Sequence, residues 1–325
     1  MVLSTAAPER DASGAGFADA RIARWIRREF EQRPPKAKSL VVTVWGDAIA
    51  PHGGAVWLSG LIRLLAPLGL NERLVRTSVY RLAQEGWLEA QQDGRRSLYR
   101  LTATGLRRFE HAYRRIYAPP DGDWDGSWEV VLAPGAVLSA GERRELRREL
   151  GWEGFGALTA GMFLRPARAA SRETLGEIVR ALGVERRAVV LIARDAPGLE
   201  SRSLQALAGD CWHVAAVAAE YRRFVARFGP VLERFRARTD LDPEQCFMVR
   251  SLLIHAFRRV TLHDPQLPAE LLPAAWPSPD AYALCRDFYR LTYKFAEQHL
   301  AARLETRDGP LPPAAPYFYE RFGGI

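Results

Sequence analysis

A chain of 325 residues, 48% of them apolar, is long enough for two or three domains with sizeable cores. Its 46 Lys and Arg against 38 Asp and Glu leave a formal charge of +8, which suits a polyanionic partner such as nucleic acid or an anionic ligand. Three cysteines (Cys211, Cys246, Cys285) exclude a disulfide framework and point to a reducing cytoplasm, and no stretch reaches the ~18 uncharged apolar residues of a membrane span.

Residues 1–16 are small and polar, a composition expected of a disordered leader. From Phe17 to Arg33, FADARIARWIRREFEQR sets Ile22, Trp25, Ile26 and Phe30 at helical spacing, and Pro34-Pro35 ends the helix. It reads either as a membrane-surface helix or as a first helix packed on the next domain; the second is preferred, because it leads straight into a folded unit. That unit is placed at 17–120. Its run SLVVTVW is compatible with strand or helix, and WLSGLIRLLA is a short helix. PLGL is a tight break, and Asn71 is a good N-cap for the following helix. WLEAQQDGRRSLYRLT then reads as a hairpin turning at Asp93-Gly94. Helix, turn, helix and hairpin make a winged helix-turn-helix.

Residues 121–197 follow the order β-α-β-β-α-β, a ferredoxin-like unit whose small sheet, with one open face, suits dimerisation. Residues 198–307 contain three long helical runs, beginning at Cys211, Pro243 and Asp280. Residues 308–325 form a tail rich in Pro and Gly. The fold class expected is α+β.

The helix after Asn71 separates into two faces at ~100° per residue. Arg73, Arg76, Thr77, Tyr80, Arg81 and Gln84 fall together, opposite Val75, Val79, Leu82 and Ala83. A recognition helix needs such a front of long donors for base edges and phosphates, and such an apolar back. Arg95 and Arg96 follow the hairpin glycine, where a wing presents guanidinium groups to the minor groove or backbone, with Ser97 and Tyr99 adding hydroxyls. A solvated amphipathic helix with a charged turn is the plain alternative. The cap, the preceding helix and the paired arginines together favour DNA.

The run LVVTVWGDAIAPHGGAVWLSGLIRLLAPLGLNERLVRTSVYRLAQEGWLEAQQDGRRSLYRLT resembles the PaaX family, bacterial repressors of phenylacetic acid catabolism. The resemblance continues through WDGSWEVVL, GWEGFGAL, DCWH and LLIHAFRRVTLHDPQLPAELLPAAW to PYFYERFGGI, so it covers nearly the whole chain from Ser39. It implies a homodimeric winged-helix repressor that blocks its own catabolic promoters and is released by phenylacetyl-CoA rather than free phenylacetate. The leader and the first helix lie outside the pattern.

The resemblance implies an effector class but not its site. A CoA thioester needs cations for its phosphates and an apolar, partly aromatic pocket for its acyl end. In the helical region Trp212, His213, Tyr221, Arg222, His255, Arg258, Arg259 and Trp276 are the candidates, set against the alternative of ordinary bundle core and solvated arginines. Cys211 and His213, with Cys246, His255, His263 and Cys285, lack the spacing of a zinc site, so no metal and no cofactor are expected. The middle unit also resembles Cas2-type nucleases, which place an acidic residue at the end of the first strand. Here WEVVLAPG ends without one, and Asp121, Asp123, Asp125 and Glu129 precede or open the strand. A scaffold without catalysis follows, with an enzyme acting on acyl-CoA or nucleic acid as the second hypothesis.

Overall fold

The computed structural model describes residues 18–118, 124–133, 137–167, 172–196 and 203–325. The expected leader, together with Asp121, Asp123 and Pro134-Gly135, lies outside them.

Helix α1 (Ala20–Gln32) is capped by the Asp19 carboxylate, which accepts from the N–H groups of Arg21 and Ile22. Its stripe of Ile22 and Ile26 is buried, and Trp25 packs its ring 5.4 Å from Phe228. It is a packed helix, as the preferred reading holds, but it packs on C-terminal helices. The Asp19 N–H donates to Gln245 at 3.0 Å, and Asp19 pairs with Arg238 at 3.0 Å.

SLVVTVW becomes helix α2 (Ala37–Val44), and the chain continues as a π-helical turn over Trp45–Ile49. All of Leu40 to Val44 is buried. A helix covered on every side shows no amphipathic period, which is why strand and helix read alike. Three strands follow in the order β1-β3-β2: β1 (Ala55–Trp57), β2 (Leu88–Asp93) and β3 (Arg96–Leu101). β1 is too short for a period-two signal, and its last residue, Trp57, is the first residue of the helix that the sequence suggests. Helices α3 (Leu58–Leu65) and α4 (Glu72–Gln84) lie between β1 and β2, and α5 (Ala103–Tyr117) follows β3. The hairpin turns through Gly94 at φ +57° and pairs Asp93 with Arg96. Gly105 lets α5 start against the hairpin base: a Cβ there would stand 2.2 Å from the Trp87 carbonyl oxygen.

The middle unit runs β4 (Ser127–Leu132), α6 (Ala140–Trp152), β5 (Gly156–Thr159), β6 (Met162–Pro166), α7 (Arg172–Ala181) and β7 (Val189–Arg194). The sheet order β5-β6-β4-β7, all neighbours antiparallel, is the expected ferredoxin-like arrangement. One face buries Val131 and Phe163 under α6 and α7. The other face is not open, contrary to expectation. Trp128, Val130 and Leu164 are covered there by Ala208 of α8 (Leu204–Trp212), Val214 and Leu267 to Leu272. Apolar residues on both faces demand two covers, and distant sequence supplies the second. What stays uncovered is the β7 edge, where Val189, Val190, Leu191 and Ile192 are all exposed.

Helices α9 (Val214–Arg236), α10 (Pro243–Thr261) and α11 (Ser278–Arg303) are the three long runs. Cys211 and Trp212 belong to α8, because His213 takes φ +50° and breaks the helix in two. A small pair, β8 (Glu305–Thr306) and β9 (Gly309–Pro310), precedes α12 (Pro316–Tyr319). One apolar core runs from Ile22 through Tyr117 and on from Tyr221 to Phe322, so the N-terminal unit and the C-terminal helices bury a common interior.

Candidate nucleic-acid interface and interdomain cavity

Asn71 caps α4 by accepting from the Leu74 N–H at 3.0 Å. Val75, Ser78, Val79 and Leu82 are buried, against α2 and α3 among others, and Ala83 is half-buried. Arg73, Arg76, Thr77, Tyr80, Arg81 and Gln84 are all exposed on the opposite side, Tyr80 by 61%. This face thus carries one large exposed aromatic and three exposed arginines. Arg76 is held by Glu72 one turn earlier, at 2.7 Å. An exposed pair of this kind is worth a few tenths of a kcal/mol, so a phosphate or guanine can displace it.

In the β2–β3 hairpin, Arg95 sits exposed at the tip. Arg96 lies with its guanidinium carbon 3.9 Å from the centre of the Trp57 ring and its Nη2 3.8 Å from the Glu305 carboxylate. Ser97 donates its hydroxyl to Gln92 across the hairpin at 2.7 Å, and Tyr99 is half-buried against the core. Arg100, which sequence reading passed over, is exposed and paired with Glu89. The three-stranded sheet is also tied to C-terminal sequence: Trp57 Nε1 donates to the Thr306 carbonyl at 2.9 Å, and Arg307 lies 3.6 Å from Asp93.

A buried ionic centre joins the two ends of the chain. Asp47, 2% exposed, accepts from the hydroxyls of Tyr117, at 2.6 Å, and Tyr289. It pairs with Arg250 at 3.2 Å and with Arg321 at 3.3 Å. Arg250 also reaches Glu297 at 2.9 Å, and Glu297 accepts from or pairs with His52 at 2.8 Å. Burial would raise the Glu297 carboxyl pKa, yet His52 and Arg250 outweigh it and hold the group below its ordinary value. Burial and the Asp47 charge push the Tyr117 and Tyr289 hydroxyls well above the usual tyrosine range. Sequence reading missed this set. Asp47, Tyr117, Arg250 and Arg321 are separated by up to 274 positions, and no local spacing announces them.

The eight effector candidates do not converge on one place. Trp212 donates to the Gly154 carbonyl at 2.9 Å and stacks near Trp128, on the middle sheet. His213, exposed, makes the break between α8 and α9. Tyr221 donates to Asp264 at 2.7 Å and packs 6.1 Å from Trp276, both in the helical core. Arg222 and Arg259 are exposed. His255 and Arg258 face α2: His255 Nδ1 meets the Thr43 hydroxyl at 3.0 Å, and Arg258 reaches the Ser39 hydroxyl at 3.3 Å.

Arg258 also lines a cavity of about 390 Å³ between α2, α5, α10 and α12. Val42, Thr43, Gly46, Asp47 and Ala50 form one wall, Leu106 to Tyr117 of α5 the second, Ile254 and Arg258 the third, and Tyr317 closes it. Burial lowers the Arg258 pKa, and its Nε has no hydrogen-bond partner.

Burial, with Arg258, Arg259 and Arg227 nearby, pushes the His255 pKa down to about 3. The unfolded chain takes up that proton near pH 6.5 and the folded chain does not, so acid favours unfolding through this group. Stability is expected to fall as pH drops from about 6.5 toward 3, and His255→Gln should flatten the slope of unfolding free energy against pH. Denaturant titrations at several pH values measure it; equal slopes in both proteins would remove His255 from the acid response.

Among the described residues no group of three or more His, Cys, Asp or Glu is placed to hold a metal ion. Asp125 is bonded to Ser127 and pairs with Arg194 at 2.8 Å, and Glu129 is buried against Arg165 at 2.6 Å. Both carboxylates are engaged structurally. No described helix is long and apolar enough to cross a membrane.

Comparison with known proteins agrees with this architecture. Residues 36–105 match the PaaX-like protein family, residues 121–205 the PaaX protein central Cas2-like domain, and residues 212–302 the PaaX-like protein C-terminal domain. The transcriptional repressor PaaX of Escherichia coli (strain K12) is 35% identical over 303 residues, covering 93% of this chain and 94% of that protein. That relative is a regulator, as the expectation of a non-enzyme requires. The solved structure of the uncharacterized protein Rv0674 from Mycobacterium tuberculosis is similar too, with a TM-score of 0.51 and 27% identity over 82% of this chain and 98% of that one. With three family matches in order along the chain and a repressor matched over nearly its whole length at this identity, the protein belongs to the PaaX family.

Proposed function

We propose that the protein is a ligand-responsive transcriptional repressor of phenylacetate catabolism genes, released from operator DNA by phenylacetyl-CoA. The outer face of α4 carries the reading, with Arg73, Arg76, Thr77, Tyr80, Arg81 and Gln84 exposed above a buried back. In this reading residues 17–120 form a winged helix-turn-helix with α4 in the major groove, while Arg95, Arg96, Ser97 and Tyr99 belong to the wing. Residues 121–197 pair two copies, for which the uncovered β7 edge is the available surface. A twofold dimer requires a palindromic operator with half-sites one or more helical turns apart. Residues 198–307 bind the effector, and the protein acts in the cytoplasm.

The test is a gel shift on the promoter beside the gene, with competitor DNA and no metal, adding phenylacetyl-CoA, free phenylacetate and CoA in turn. Release by the thioester alone is the expected result. Specific binding that none of the three disturbs would overturn the effector, and absence of specific binding would overturn the repressor.

A further inference from the structure

The cavity behind α2 combines three features that point to one kind of occupant. Its volume of about 390 Å³ lies in the range of small-molecule sites. Phe109, Tyr113, Tyr117 and Tyr317 give it aromatic walls. Gly46, with no Cβ, lets the Phe109 ring lie against the π-turn, since a methyl there would meet it at 2.7 Å. Finally Arg258, largely withdrawn from water, forms no salt bridge with any described carboxylate and leaves Nε unsatisfied. Its one hydrogen bond among the described residues, from Nη2 to the Ser39 hydroxyl at 3.3 Å, is long, and a desolvated guanidinium with an unsatisfied Nε is costly; an oxygen brought in by a ligand relieves that cost. The Asp47 carboxylate on the same wall is already engaged by two tyrosines and two arginines.

An aromatic ring with a carbonyl group two bonds away satisfies all three features. We propose that this cavity is the acyl subsite of the effector: an arylacetyl group enters it and occupies part of its volume, and its carbonyl oxygen accepts from Arg258. The assignment rests on the reading of the protein as an aryl-CoA-responsive repressor and gives that reading its site. The cavity holds the acyl end only; the rest of the thioester leaves past Arg114, which lines the cavity yet is exposed.

The site also supplies a route to the DNA face. α2 forms one wall and packs on α4. The wing contacts α3 and α4 but is also tied to Glu305, Thr306 and Arg307 of the C-terminal unit. A ligand that wedges α2 from α5 and α10 therefore moves the recognition helix relative to the wing, and its preference for the wedged state lowers operator affinity.

Calorimetry with the full chain and phenylacetyl-CoA, without DNA, tests the site directly. Ala112→Trp fills the cavity from α5, and Leu106→Trp blocks it from an exposed position, so that failure of one variant to fold leaves the other. Each folded variant is expected to bind the thioester at least roughly tenfold more weakly, and Arg258→Met about tenfold more weakly. Equal binding by wild type and a folded blocking variant overturns the cavity. Operator gel shifts separate the two readings. Release of wild type and variants at the same thioester concentration leaves the repressor standing without this site. Binding that the variants abolish, with no release of wild type from DNA, leaves the site standing without the effector role. Free phenylacetate bound as tightly as the thioester, and lost in the same variants, makes the free acid the occupant and overturns the CoA ester. No binding by wild type overturns both.

Discussion

Replacing Asp47 by alanine is expected to destabilise the protein by about 3–5 kcal/mol, the usual cost of removing one partner from a buried ionic group. Asp47 is 2% exposed, and Arg250 and Arg321, both fully buried, converge on it. Arg250 keeps Glu297, at 2.9 Å, but Arg321 loses its carboxylate and retains only carbonyls and the Tyr289 hydroxyl, under the rings of Tyr117 and Phe318. Both tyrosine hydroxyls also lose their acceptor. Asp47→Asn preserves shape but not charge, so it should recover only part of the loss. Equilibrium denaturation followed by tryptophan fluorescence measures both. A change under about 1 kcal/mol in Asp47→Ala would mean that the centre relaxes onto water or other acceptors, and that the C-terminal clasp contributes little.

The second large effect concerns DNA. Arg76→Ala and Arg81→Ala should each weaken binding to the specific promoter sequence by about 1–3 kcal/mol, with less effect on unrelated DNA. In affinity this is roughly 5- to 150-fold. Both side chains are exposed on the helix face away from the core, so stability should change little. Glu72→Ala is the informative companion. It frees Arg76 from its 2.7 Å partner and removes an anion from the start of α4, so affinity should hold or rise. Titrations of wild type and the three variants at one fixed salt concentration supply the comparison. Unchanged operator affinity in both arginine variants would move the DNA-reading surface away from α4.

How far the sequence could be read depended on the range of the contacts involved. The two faces of α4 follow from a 3.6-residue period within thirteen positions, and the Asn71 cap and the Gly94 turn are local chemistry. The β-α-β-β-α-β order was legible for the same reason. α2 was ambiguous because a helix buried on all sides carries no period. The open sheet face failed because its cover, Ala208 of α8 and Leu267 to Leu272, lies 44 or more positions from the Trp128, Val130 and Leu164 that it covers.

By itself the sequence determined the order of the elements, the basic front of one helix and the resemblance that names the family. Each of these rests on neighbours along the chain or on the string of residues itself. Only the tertiary structure decided that α1 serves the C-terminal helices, that the last residues clasp the first unit through Arg321 and Asp47, and that Arg258 meets a void rather than a carboxylate. It also separated the eight effector candidates, setting His255 and Arg258 by α2 and Trp212 on the middle sheet. The physical reason is that burial and charge pairing depend on distances in space, and residues hundreds of positions apart leave no pattern along the chain to mark where they will meet.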